Sequence, residues 1–89
     1  MPERTVTIEN RNGLHARPAA EIVKLAAKFR SEITIVKDDL DVNGKSIMGV
    51  MMLAAGIGTT VELETEGSDE EAAAGEIEAL FNDKFGEGE

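Results

Sequence analysis

The chain is 89 residues long, with 18 acidic and 9 basic side chains for a net charge of -9, one histidine and no cysteine. A chain this short builds one shared core, and the missing thiols exclude disulfides, thiolate chemistry and cysteine-based metal sites, which suits a reducing cytoplasm. Net acidity with three Phe as the only aromatics disfavours nucleic acid as a partner. The opening Met-Pro-Glu-Arg-Thr has no apolar signal core, and no apolar run is long enough to span a bilayer, so a soluble intracellular protein without membrane insertion is expected.

From Arg4 to Glu9 apolar and polar residues alternate, with Val6 and Ile8 on one side, as in a half-buried strand. Arg11-Asn12-Gly13 breaks it. From Ala16 to Phe29 the positions Ala19, Ile22, Val23, Ala26 and Phe29 recur at helical spacing, with Lys24 and Lys28 on the outer face. Ile33 and Ile35 then alternate with Thr34, Lys37-Asp38-Asp39 reads as a turn, and Leu40 to Val42 as a short return strand, which together make a hairpin.

Asn43-Gly44 is a turn pair, and Ser46 follows as a candidate N-cap for a short helix from Ile47 to about Leu53. Gly56 and Gly58 end that helix, and Thr59 to Thr65 alternates as a fourth strand with Val61 and Leu63 inward. Ser68-Asp69-Glu70-Glu71 fits a capping box, with Ser68 as cap and Glu71 as its partner, opening a helix whose stripe is Ala73, Ile77, Leu80 and Phe81. The order β-α-β-β-α-β-α predicts a two-layer α+β sandwich, a four-stranded antiparallel sheet with three helices on one face. The expectation is one domain over residues 1–89, with 86–89 as a frayed tail.

His15 stands immediately before the first helix, where unpaired backbone N–H groups and the positive end of the helix dipole gather. Two readings are open: a structural cap, or an imidazole placed to receive an anion. Arg17 in the same turn adds a planar, permanently charged donor suited to phosphate oxygens. The charge distribution favours the second reading. Residues 61–89 carry eleven acids against Lys84 alone, whereas between positions 11 and 30 Arg11, Arg17, Lys24, Lys28 and Arg30 meet only Glu21. Such a local basic field suits phosphate or an acidic protein partner, while Lys28 and Arg30 also read as a solvated helix face.

Ile47-Met48-Gly49-Val50-Met51-Met52-Leu53 is apolar all the way round a helix, and a two-layer domain cannot bury every side of it. Some of Ile47, Met48, Met51 and Met52 should remain exposed as a docking face, for which methionine is suited; a fully buried core segment is the alternative. Gly44-Lys45-Ser46 is no nucleotide-binding loop, since Asp39 stands where that motif needs its first glycine. Gly56-Ile57-Gly58 lacks the third glycine of a dinucleotide fingerprint, Val61 being in its place. A phosphate on Ser46 would add charge beside the apolar residues.

Two stretches, Asn12-Gly13-Leu14-His15-Ala16-Arg17-Pro18-Ala19 and Asn43-Gly44-Lys45-Ser46-Ile47-Met48-Gly49-Val50-Met51, together with the element order, closely resemble the HPr family. These are the histidine phosphocarriers of the bacterial phosphoenolpyruvate-dependent sugar phosphotransferase system, and the resemblance spans residues 2–85. It implies that enzyme I passes a phosphoryl group to Nδ1 of His15, which donates it to an EIIA domain. It also implies that Arg17 and the backbone N–H groups of Ala16 and Arg17 stabilise the phosphoryl oxygens, and that Asn12 shapes the loop. Ala20, Lys24, Lys45, Ile47, Met48, Met51 and Met52 would meet the partners. Ser46 would be phosphorylated by HPr kinase/phosphorylase in bacteria that have it. A carrier of this kind is not an enzyme in the strict sense, needs no metal or cofactor, and is expected to be a monomer. The same residues also permit a regulatory relative, serving a nitrogen-type or incomplete chain with the same His15 chemistry. A non-catalytic binding module using only the methionine face is a further alternative.

Overall fold

The computed structural model describes residues 3–8, 16–53, 56 and 58–83. In chain order the elements are β1 (Glu3–Thr7), α1 (Ala16–Ala26), β2 (Glu32–Lys37), β3 (Leu40–Asn43), α2 (Ile47–Met52), β4 (Thr60–Glu66) and α3 (Glu70–Asn82). The strands form one antiparallel sheet in the order β1-β4-β2-β3. The architecture is thus the expected α+β sandwich.

Strand alternation decides which face of the sheet is covered. Val6, Ile33, Ile35, Val42, Val61 and Leu63 are all buried, as is Ile8 just beyond β1, because successive side chains in a strand point to opposite faces. Against them lie Ala19, Ile22 and Ala26 of α1 and Ala73, Ile77 and Phe81 of α3. The helix α3 packs on β1 and β4, α1 packs against both α2 and α3, and α2 packs on β3. The hairpin turns through Asp38 and Asp39, since Lys37 pairs with Leu40, and Asp38 takes a positive φ of 55°, which Asp tolerates better than most residues. The opposite face is acidic: Glu3 sits across from Glu64 and Glu32 across from Glu66, cross-strand pairings that repel.

Element boundaries differ from the periodicity at the end of the first helix. α1 stops at Ala26, and the chain tightens into i to i+3 bonds as the N–H of Lys28 and of Phe29 donate to the carbonyls of Leu25 (3.1 Å) and Ala26 (3.1 Å). Phe29 still packs on the core, but from a turn. The glycine-rich tail, residues 86–89, lies outside the described residues.

The start of α3 overturns a sequence expectation. The helix is not opened by a capping box of Ser68 and Glu71: its N-cap is Asp69, and the Asp69 side chain makes no cap bond. Its carboxylate instead accepts from the backbone N–H of Arg30 (2.9 Å), from the N–H of Ser31 (2.9 Å) and from the Ser31 hydroxyl. Three donors arriving from a segment 38 and 39 residues away outcompete the helix's own first turn. Gly67 makes the approach feasible: its φ is +153°, and a Cβ there would stand 2.6 Å from Ser31 Cα. Glu70 compensates locally, its Oε1 accepting from the N–H of Gly67 (3.0 Å) and its carbonyl accepting from the Thr65 hydroxyl (2.9 Å). Arg4 adds a second tie to α3, with its guanidinium 3.7 Å from Glu71 and 3.8 Å from Glu78.

The hydroxyl of Ser31, followed by the two backbone donors, holds the Asp69 carboxyl below its ordinary range. A carboxylate with a depressed folded pKa stabilises the fold above its unfolded pKa, and that contribution is lost as pH falls through the lower folded value. Asp69→Asn is therefore expected to be less stable than the parent at neutral pH. The gap should close well below the ordinary aspartate pKa of about 3.9, where both side chains are neutral. Urea unfolding of both proteins across that range checks this, and a gap that does not narrow would refute the charge-based account.

Candidate functional site

Two neighbouring helices carry most of the residues singled out by sequence. α1 begins at Ala16, with Ala16 and Arg17 exposed and Pro18 and Ala19 buried. The first N–H groups of a helix have no acceptor within it. Pro18 lacks that donor, so its place in the first turn costs no hydrogen bond. Its ring seats the turn in the fold while the amides of Ala16 and Arg17 remain as donors at the helix start. Arg17 has no described carboxylate within ion-pair range, which leaves its guanidinium available to an anion. His15 and Asn12 lie outside the described residues, so α1 gives the location of the helix end that follows them, and no side-chain geometry for either.

Farther along α1, Ala20 is half-buried and Lys24 is exposed. Lys24 pairs with Glu21 at 3.7 Å in an i, i+3 arrangement, an exposed contact of small energetic weight. Its charge remains at the surface.

The segment after β3 is built by short-range bonds. The side-chain oxygen of Asn43 accepts from the N–H of Lys45 (2.8 Å), and the Asn43 carbonyl accepts from the N–H of Ser46 (3.1 Å). Gly44 sits so close to β2 that a Cβ would stand 2.6 Å from Ile33 Cγ2. Ser46 then caps α2 as its position suggested: its hydroxyl oxygen accepts from the N–H of Gly49 at 3.1 Å.

On α2, Val50 and Leu53 at its C-cap are buried, while Ile47, Met48, Met51 and Met52 are 44%, 76%, 43% and 64% exposed. The fully buried alternative for this segment is excluded. Val50 and Leu53 anchor the helix and four large apolar side chains stay exposed, because a six-residue helix packed chiefly on β3 and α1 cannot bury every side. Single exposed apolar side chains are ordinary, but four on one short helix form a patch of the kind that marks an interaction surface.

The resemblance put Lys45 among the residues that would meet a partner, and sequence reasoning missed its tether. Its Nζ donates to the Phe29 carbonyl at 2.8 Å, joining the α2 entry to the end of α1. Lys37 does the same at the other end of α2, its Nζ donating to the Leu53 carbonyl at 3.1 Å. A lysine beside a helix C-terminus is a recognised way to satisfy late carbonyls, but neither pairing is local in sequence. The Asn43 turn, by contrast, was legible in its Asn-Gly dipeptide.

An open groove of about 330 Å³ lies along β2 and β3, lined by Glu32, Thr34, Asp41, Asn43 and Lys45 among others. Glu32, Thr34, Asp41 and Asn43 have the parity of the sheet face away from the helices, whereas Ile33 and Val42, which also line it, have the opposite one. No group of three or more His, Cys, Asp or Glu among the described residues could hold a metal ion, and no described helix is long and apolar enough to cross a membrane.

A family model described as "PTS HPr component phosphorylation site" matches residues 2–83. The phosphocarrier protein HPr of Treponema pallidum is 55% identical over 87 residues, covering 98% of this chain and 99% of that protein. The crystal structure of HPr from Thermoanaerobacter tengcongensis, in a form designated HPr-C-His, superposes with a TM-score of 0.94 at 50% identity, covering 98% of each chain. An HPr dimer from the same organism superposes at 0.79, with 50% identity over 98% of this chain and all of that one.

The cap at Ser46 leads to a stability expectation independent of any activity. Ser46→Ala removes the acceptor for the Gly49 N–H and should cost about 1 kcal/mol, whereas Ser46→Asp retains a capping oxygen and should cost less. Urea denaturation of the two variants beside the parent checks the order; an alanine variant as stable as the parent would contradict the cap.

Proposed function

This chain belongs to the HPr family of phosphocarrier proteins, and from that premise we propose that His15 accepts a phosphoryl group from phosphorylated enzyme I and hands it to an EIIA domain in the cytoplasm. The observation that carries this reading is the position of α1: it begins at Ala16, directly after His15, inside a family match that spans the whole motif. The lone pair on Nδ1 of a neutral imidazole attacks phosphorus in line as the bond between phosphorus and the donor's leaving atom breaks. The resulting N–P bond breaks in turn when an EIIA nucleophile attacks. Phosphoryl transfer of this kind demands positioning and charge stabilisation more than covalent assistance from the carrier.

Arg17 and the amides of Ala16 and Arg17 meet the phosphoryl oxygens, and Asn12 shapes the loop that presents His15. The exposed Ile47, Met48, Met51 and Met52 are the docking face, with Ala20, Lys24 and Lys45 around it for the partner's apolar and acidic rim. Both motifs belong to one polypeptide, so in this reading the transfer uses no residue of a second copy.

Incubation with phosphoenolpyruvate and catalytic enzyme I is expected to give one acid-labile phosphate on His15, absent in His15→Ala. Arg17→Ala should slow the transfer without removing the site. Loss of phosphate acceptance in the parent, or its persistence in His15→Ala, overturns the assignment.

Ser46 is the regulatory site in this reading. Transfer of the ATP γ-phosphoryl group to its hydroxyl by an HPr kinase/phosphorylase places about -1.5 to -2 charges next to Ile47 and Met48. Acidic partners are then repelled from an apolar face that must be desolvated for docking. Mass spectrometry after incubation with ATP and the kinase should show one phosphate on Ser46, and the product should accept phosphate on His15 more slowly. A chain left unmodified by an active kinase retains Ser46 as a helix cap alone.

A further inference from the structure

The only sulfur atoms in this chain belong to Met1, Met48, Met51 and Met52, and three of these four methionines sit on the six-residue helix α2. Met48 and Met52 lie four residues apart, hence on the same side of the helix. They are its two most exposed side chains, at 76% and 64%. The residues that bind this segment to the fold, Val50 and Leu53, are buried and carry no sulfur. With no cysteine present, no thiol competes for an oxidant. A small oxidant therefore reaches the docking thioethers while the anchoring core stays out of reach.

We propose that Met48 and Met52 form a reversible oxidation site through which a hydroperoxide weakens docking of the phosphoryl donor, a proposal that rests on the docking role of α2 given above. In the step, a sulfur lone pair attacks the terminal oxygen of hydrogen peroxide and the O–O bond breaks. Sulfur is oxidised by two electrons to the sulfoxide, and the peroxide leaves, after proton transfer, as water. The sulfoxide oxygen is a strong hydrogen-bond acceptor on a surface that must shed water to dock, and an unpaired polar group in such an interface opposes association. The site is reversible because methionine sulfoxide reductases, with a thiol reductant, remove the oxygen again.

The test uses the full chain treated with hydrogen peroxide until peptide mass mapping shows one added oxygen on each of Met48 and Met52. Its thermal melt should match that of the untreated chain, since neither sulfur belongs to the core. The KM of enzyme I for the oxidised carrier should rise about tenfold, equivalent to about 1.4 kcal/mol of docking, with kcat little changed. Treatment with both methionine sulfoxide reductases should restore the starting KM. In Met48→Leu/Met52→Leu, peroxide should leave KM at that variant's own untreated value, whatever that value is; Met1 and Met51 remain in both proteins and cancel. An unchanged KM after full oxidation, a rise that persists in the double variant, or a collapsed melt overturns the proposal. An untreated chain that accepts no phosphoryl group at all overturns the carrier reading itself, a distinct result.

Discussion

The covering of one sheet face by α1 and α3 is the constraint on which the rest of the molecule depends. Ile33, Ile35, Val61 and Leu63, from the two central strands, must be kept from water, and Ile22, Ala26, Ile77 and Phe81 are the side chains that do it. Burying a side chain of this size contributes roughly 1.5–3 kcal/mol, so the seam dominates any single hydrogen bond in the structure. Once two full helices occupy the sheet face, little apolar surface is left for α2. It packs on β3 and on the flank of α1, and four of its apolar side chains remain in solvent. The exposed patch is thus a consequence of how the core is shared out.

The segments around that patch are held by bonds that converge on helix ends. Lys45 reaches the Phe29 carbonyl after α1, Lys37 the Leu53 carbonyl after α2, and Asp69 receives the amides of Arg30 and Ser31. Each ties a connection to a neighbouring element, so that the surface residues of α1 and α2 are carried on a supported scaffold. In the proposed carrier role such support matters, because transfer between proteins requires a preformed geometry on both sides.

The charge pattern divides the labour further. Acidic side chains concentrate on the sheet's open face and on α3, where Glu3, Glu32, Glu64 and Glu66 oppose one another across strands. The start of α1 holds Arg17, and its last turn, two turns later, holds Lys24. Electrostatic steering of an acidic partner would therefore favour approach at α1, and the open sheet face and α3 would repel it.

The sequence by itself determined what depends on neighbours within a few residues: strand alternation, the helical stripe of α1, the Asn43 turn, the Ser46 cap, and the excess of apolar residues on α2. Each is a local pattern read against a known period or a short hydrogen bond, and the two motifs also sufficed to name the family. The tertiary structure alone decided the strand order β1-β4-β2-β3 and the partners of Arg4, Lys37, Lys45 and Asp69. Asp69 makes the distinction clear. Locally, Ser68-Asp69-Glu70-Glu71 reads as a capping box, yet in the fold Asp69 turns away from its own helix because packing brings three donors from the Ser31 corner within reach. Such donors lie dozens of residues away along the chain, and only the closure of the core puts them side by side.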